Sequence, residues 1–246
     1  MKMTIKKDIL PLVALAGIST APGALFNSGE LDFGVILDDT TGDFELEAHV
    51  VNGVVDGVPT VDVEFEVSDL TVLAGPSLAI SAPTNLPAAG VATGESLWIL
   101  PQSNVSGEPY VAFASEELLD VGNGASDWTT NITFTLGTVT SPSGSGTFSV
   151  WTTDGVGTNT FFFSSTEPGL TDNSNQFESV FGHDHVNWGF NESGPWAVEI
   201  TASGNHATFG DVSATETLTF NVIPEPSSTV LLSLAAMGLA ARRRRK

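Results

Sequence analysis

Val61-Asp62-Val63-Glu64-Phe65-Glu66-Val67 alternates apolar and acidic residues without a break. A strict period of two marks a strand with one face on a core and the other in water. The pattern recurs outward along the chain. Phe44, Leu46, Ala48 and Val50 alternate with Glu45, Glu47 and His49. Ile132, Phe134 and Leu136 alternate with Thr133 and Thr135, and Trp196, Val198 and Ile200 with Ala197, Glu199 and Thr201. Leu218, Phe220 and Val222 alternate with Thr217, Thr219 and Asn221. Turn-forming clusters such as Asp56-Gly57, Ser141-Pro142-Ser143-Gly144 and Asp154-Gly155 punctuate these runs.

Helix signals are sparse. Ser115 is placed to cap Glu116-Glu117-Leu118-Leu119, with Gly122 just beyond. Many short strands and one short helix predict an all-β fold, an antiparallel β-sandwich of immunoglobulin-like or jelly-roll-like architecture. The Pro- and Gly-rich region 75–94 reads as a long loop rather than a boundary between two sandwiches. Asp38-Asp39-Thr40-Thr41-Gly42-Asp43 is acidic but lacks the spacing of an EF-hand loop, so a hairpin turn is expected there.

The charge distribution is extreme. All eight basic residues lie at the two ends, and 28 carboxylates separate Asp8 from Ala241 with no Lys or Arg among them. Such a surface excludes nucleic acid as a partner, because nothing contacts phosphate. It forms no carboxylate–ammonium salt bridges, and its self-repulsion is relieved by salt, protons or divalent cations. There is no cysteine, hence no disulfide and no thiolate metal site.

The ends read as addresses. Residues 1–8 are short and basic, residues 9–20 mostly apolar, and small residues follow, which is the pattern of a secretory signal peptide spanning 1–23. Residues 24–221 are then the acidic ectodomain. The tail, 222–246, holds Pro224, Glu225 and Pro226, a 15-residue apolar stretch at 227–241, then Arg242, Arg243, Arg244, Arg245 and Lys246. Proline ends strand pairing and keeps the backbone accessible, and the terminal cations hold their end in the cytoplasm. This tail resembles the PEP-CTERM sorting signal. The resemblance implies export, transient membrane anchoring by the apolar helix, recognition by an exosortase, removal of the tail, and delivery to the cell surface or extracellular matrix of a bacterium.

Two of the four histidines lie in Gly182-His183-Asp184-His185-Val186-Asn187-Trp188-Gly189-Phe190. Read as a strand, Val186, Trp188 and Phe190 face the core, and His183, His185 and Asn187 share the other face. Imidazoles at i and i+2 on one face are spaced to chelate one cation. His49 lies on the polar face of its own strand beside Glu47, so neighbouring strands would bring three imidazoles and a carboxylate together. That donor set suits a divalent metal of the zinc type better than calcium. Three ordinary surface histidines are the alternative.

At these residues a second resemblance arises. Leu97-Trp98-Ile99-Leu100-Pro101-Gln102, Ser115-Glu116-Glu117-Leu118, the His183–Phe190 stretch and Gly194-Pro195-Trp196 resemble the choice-of-anchor M domain of surface proteins, over roughly residues 28–203. The resemblance implies metal capture beside a metal-uptake system. Family members carry Gly-His before the first strand and His-x-His in the next. Here Gly29 is followed by Glu30, and Glu47 precedes His49. Glu30 and Glu47 thereby join His49, His183 and His185 as candidate ligands.

No G-x-S-x-G, H-E-x-x-H or phosphate-cradling loop is present, and a non-enzymatic role is expected. Two other readings stay open. One is a module that stacks matrix polysaccharide on Trp98, Tyr110, Trp128, Trp151 or Trp188. The other is a passive polyanionic matrix component that holds only diffuse counterions.

Overall fold

In the computed structural model, residues 23–119, 127–166, 170 and 174–224 are described. Their strands, in chain order, are β1 (Ala24–Leu37), β2 (Phe44–Val55), β3 (Val58–Glu66), β4 (Leu70–Ala74), β5 (Ala79–Ser81), β6 (Ser96–Leu100), β7 (Pro109–Ala114) and β8 (Ile132–Thr140). There follow β9 (Phe148–Thr153), β10 (Asn159–Ser164), β11 (Gln176–Ser179), β12 (His183–His185), β13 (Asn187–Phe190), β14 (Gly194–His206) and β15 (Gly210–Val222). They form two sheets with the core between them, an all-β sandwich as the alternation predicts. The smaller sheet has the order β10-β9-β13-β6-β5. The larger runs β11-β8-β14-β15-β4-β1-β2-β3, with β7 paired to β1 and β12 to β7.

The larger sheet branches at β1. Ala24–Phe26 pairs with β4, whereas Gly29–Gly34 pairs with β7. Gly29 sits at the branch at φ +99°, and a Cβ there would stand 2.2 Å from the carbonyl oxygen of Asn52. Only glycine permits that path. β1 meets β2 antiparallel, whereas the pairings of β1 with β4 and β7, and that of β15 with β4, are parallel. The paired segments are remote in sequence, so no tight turn dictates an antiparallel approach.

Core packing follows the predicted alternation in β14 and β15. Trp196, Val198, Ile200 and Ala202 point inward, as do Leu218, Phe220 and Val222. Trp188 is fully buried at the centre, with ring contacts to Phe33, Phe113, Phe148 and Phe220 at 4.8–6.0 Å. The stretch with the strictest alternation behaves differently. In β3, Val61 is 63% exposed and Val63 39%. β3 is the edge strand, so burial begins only at half-buried Phe65 and buried Val67.

The expected helix is one 3-10 turn, Glu116–Leu119, pinned by buried Leu118. Ser115 Oγ accepts from Gly182 N at 3.1 Å and meets Ser179 Oγ at 2.9 Å, tying that turn to the approach of β12. The region 75–94 is not a plain loop. It carries β5 and the 3-10 turns Pro76–Leu78 and Pro87–Ala89, and its Ala82, Ala88, Ala89 and Val91 close a small satellite core with Trp151 and Phe161. Asp38 makes the expected hairpin turn: its Oδ1 accepts from Thr40 N at 2.7 Å and Thr41 N at 2.9 Å. Those backbone bonds hold its carboxyl below the usual range. Among the described residues no helix is long and apolar enough to cross a membrane. The expected signal peptide up to residue 22, Glu225, Pro226 and the tail 227–246 with its arginines lie outside the described residues.

Candidate metal centre

The polar residues of β3, β2, β1, β7 and β12 share the outer face of one half of the larger sheet. Strand pairing sets them in rows. One row runs Glu64, His49, Asp32, Ala112, His185, and the next runs Glu66, Glu47, Gly34, Ala114, His183. Tyr110 stands beside Glu30 in a third. Alternation explains the acidic positions: Glu30 and Asp32 flank Leu31, which is fully buried, and Phe33 follows inward. The small residues Gly34, Ala112 and Ala114 leave space over β7, across which both imidazoles lean toward β1.

Two imidazoles converge on one oxygen. His183 Nε2 lies 3.4 Å and His185 Nε2 3.3 Å from Glu30 Oε1. One ligand atom from each of the three residues falls within 4.8 Å of the others, and Asp32, Glu116 and His183 form a second such group. Glu30 is held by its other oxygen, which accepts a 2.5 Å hydrogen bond from Tyr110 Oη. The Tyr110 ring lies against His185 at 4.6 Å between centroids. Glu116 Oε1 stands 3.1 Å from His183 Nδ1, and Asp32 Oδ1 3.0 Å from His183 Nε2. A carboxylate on Nδ1 orients the ring and turns Nε2 toward Asp32 and Glu30.

The electrostatics fit a site built for positive charge. Asp32 is 4% exposed, and the whole ectodomain supplies no Lys or Arg to offset it. The contact with Asp32, opposed by burial and reinforced by the charges of Asp32, Glu116 and Glu30, raises His183 to about 9. Its proton is the charge a metal would otherwise bring. Burial and the neighbouring His183 lower His185, which favours its neutral ring, the form able to ligate a metal. Burial, then hydrogen bonding to Glu30, pushes Tyr110 up to about 12, so it remains a donor.

Of the residues singled out in the sequence, Glu30, His183 and His185 come together. His49 does not join them. It shares their face, but β1 and β7 intervene, and three strand spacings amount to roughly 14 Å. Its ring instead meets Asp62 at 3.1 Å and Glu117 at 3.4 Å. Glu47 stays near His49, 8% exposed, with Glu117 against it; burial and then the Glu117 charge raise it to about 8. Asn187 leaves the histidine face. The chain crosses from the larger to the smaller sheet at buried Val186, and Asn187 there bonds Gln102 and Thr153. Sequence reasoning missed Asp32 and Glu116 as members and took Tyr110 for a sugar platform. The i, i+2 pair Glu30 and Asp32 around Leu31 was the available signal.

All five tryptophans are buried, from 0% exposed for Trp188 to 7% for Trp98. Ile223 N donates to Ala74 O at 2.8 Å, and Trp98 Nε1 donates to Ile223 O at 3.0 Å. Pro224 follows, and residues 222–245 match the PEP-CTERM protein-sorting motif. That motif marks an exported bacterial protein sorted to the surface by an exosortase. No curated protein and no solved structure matches the chain.

Proposed function

We propose that this exported protein presents a divalent-metal site of the zinc type at the cell surface or in the extracellular matrix, with Glu30, His183 and His185 as ligands. Asp32 and Glu116 complete and orient the set. The observation that carries the reading is the convergence of both Nε2 atoms on Glu30 Oε1 at 3.4 and 3.3 Å. Ligands about 2.0–2.1 Å from a tetrahedral zinc lie roughly 3.3–3.4 Å apart, the spacing that each imidazole already has from Glu30. Two neutral imidazoles select a first-row transition metal over calcium. The surrounding carboxylates concentrate any divalent cation at the face.

Membership in the choice-of-anchor M family is part of this proposal. The H-x-H-x-N-W-x-F stretch supports it, since it supplies both imidazoles and anchors them through Trp188. Delivery of metal to an uptake system is the role that follows. The protein is a binder rather than a catalyst in this reading. Polysaccharide stacking has less behind it, because no tryptophan offers an exposed ring face. Cobalt(II) tests the proposal. The purified protein should give the intense visible bands of a four-coordinate ion, and His183→Ala should abolish them. A spectrum that stays that of the hydrated ion would contradict it.

A further inference from the structure

The outer face of the larger sheet carries a second feature on the half away from the histidines, over β11, β8, β14 and β15. A hollow of about 560 Å³ opens there. One row of its lining crosses four strands in register: Glu178 beside Thr133, Thr133 beside Ser203, and Ser203 beside Ser213. Asn205 and Asp211, paired with each other, stand two residues from Ser203 and Ser213. With strands about 4.8 Å apart and about 6.7 Å between every second residue, this polar grid measures roughly 14 by 7 Å.

The side chains of this row are free. Elsewhere on the face threonines satisfy one another: Thr201 Oγ1 lies 2.8 Å from Thr215 Oγ1, and Thr71 Oγ1 2.9 Å from Thr219 Oγ1. Among the described residues, the hydroxyls of Thr133, Ser203 and Ser213 and the carboxylate of Glu178 have no hydrogen-bond partner, and all four line the hollow. The rim beyond them is fixed. Asn205 Nδ2 donates to Asp211 Oδ1 at 2.6 Å, its Oδ1 accepts from Thr129 Oγ1, and its backbone N donates to Thr130 Oγ1 at 3.0 Å. Among the described residues Val212 is the one aliphatic side chain in the lining, and no aromatic ring joins it.

We infer that this hollow binds a neutral polysaccharide, by hydrogen bonding rather than by ring stacking. Three free hydroxyls that donate and accept, a fixed amide and two acceptor-only carboxylates match a chain of sugar hydroxyls, which also donate and accept. Sugar O–H groups on Glu178 and Asp211 make the stronger, charge-assisted bonds. The volume is that of a ligand site, while so polar a lining disfavours an apolar ligand. An anionic glycan would face both carboxylates with no Lys or Arg in the ectodomain to hold it. Without a stacking platform a single sugar binds weakly, so the occupant is a chain that spans the row. This inference does not rest on the histidine site.

Affinity electrophoresis of the purified protein tests it. A native gel that contains hydroxyethylcellulose, soluble starch or galactomannan, all uncharged, retards a binder without altering its charge. The wild type should be retarded by at least one of the three, relative to its own mobility without polymer. Thr133→Val with Ser203→Ala and Ser213→Ala, all on a solvated face, should lose that retardation while keeping the wild-type melting temperature. Glu178→Gln alone should weaken binding roughly tenfold, the loss expected for one hydrogen bond to a charged group, and serves if the triple variant fails to fold. His183→Ala with His185→Ala should be retarded as the wild type is. Absence of retardation by all three polymers overturns the site, as does retardation that survives both the triple variant and Glu178→Gln. Retardation lost in the histidine variant would also overturn it, by placing the polymer on the metal face. Equal retardation by alginate, an anionic polymer, would overturn the assignment to neutral chains.

Discussion

Trp188 ties the core to the metal face, and truncating it should damage both. The ring is fully buried among Phe33, Phe113, Phe148 and Phe220, and its Nε1 donates to Val111 O at 3.2 Å. Val111 lies in β7 between Tyr110 and Ala112, whose side chains belong to the site. Trp188→Ala removes a full aromatic from a close-packed core, about 3–5 kcal/mol, and loses one hydrogen bond, about 1 kcal/mol. Together these come to about 4–6 kcal/mol. For a domain of this size each kcal/mol moves the melting temperature by about 2–4 °C, so a drop of about 8–24 °C is expected. Trp188→Phe keeps most of the ring volume and gives up the hydrogen bond, and should cost about 1–2 kcal/mol. Thermal unfolding followed by far-ultraviolet circular dichroism, with a chelator present, measures both. A loss below about 1 kcal/mol for the alanine variant would refute the placement of Trp188 at the centre of the core.

Two further outcomes follow from the charges. In chelator, stability should fall as pH rises from about 7 to 9.5. His183 and Glu47 are raised to about 9 and about 8 in the fold, so the folded state binds more protons than the unfolded chain through that window. Their contribution is complete below the ordinary values of 4.5 for Glu47 and 6.5 for His183, and it is lost as pH passes 8 and 9. The lowered His185 acts in the opposite direction only near and below 6.5. A melting temperature that is flat or rising over pH 7–9.5 would contradict this. At pH 7, added sodium chloride should raise the melting temperature of the metal-free protein, because 28 carboxylates without a basic partner repel one another. No change between about 10 and 200 mM salt would remove that repulsion from the energetics.

Period-two alternation made the sandwich legible, since in β14 and β15 it coincides with burial residue by residue. It misled at β3, where the pattern is cleanest and the core thinnest, because alternation records which face is apolar and not whether a second sheet lies beneath it. Parallel pairing was invisible for a similar reason: nothing local in Ala24–Phe26 or Gly29–Gly34 tells of partners at Leu70 or Pro109. The site was half legible. The spacing of His183 and His185 put both rings on one face, and the departure at Gly29-Glu30 pointed to the carboxylate on which both rings converge. His49 sat on the correct face but at the wrong strand position, because strand order cannot be read from one sequence. Asp32, Glu116 and the floor of Gly34, Ala112 and Ala114 depend on that order. They emerge only once β7 is seen between β1 and β12.

The central claim is that Glu30, His183 and His185 bind one transition-metal ion, and zinc titration by calorimetry tests it most directly. Wild-type protein at pH 7.5 in 150 mM salt should bind one equivalent with an affinity that falls as pH drops below about 9, because the metal must displace the proton that His183 holds. At about 100 times the dissociation constant, mass action stabilises the fold by about 2.7 kcal/mol, which a parallel melt should register. His183→Ala with His185→Ala should abolish both the saturable equivalent and the shift. Glu30→Gln should weaken binding, and His49→Ala should leave it intact. The same number of zinc ions bound with the same affinity by the wild type and the double-histidine variant would contradict the claim and leave diffuse binding by a polyanion in its place.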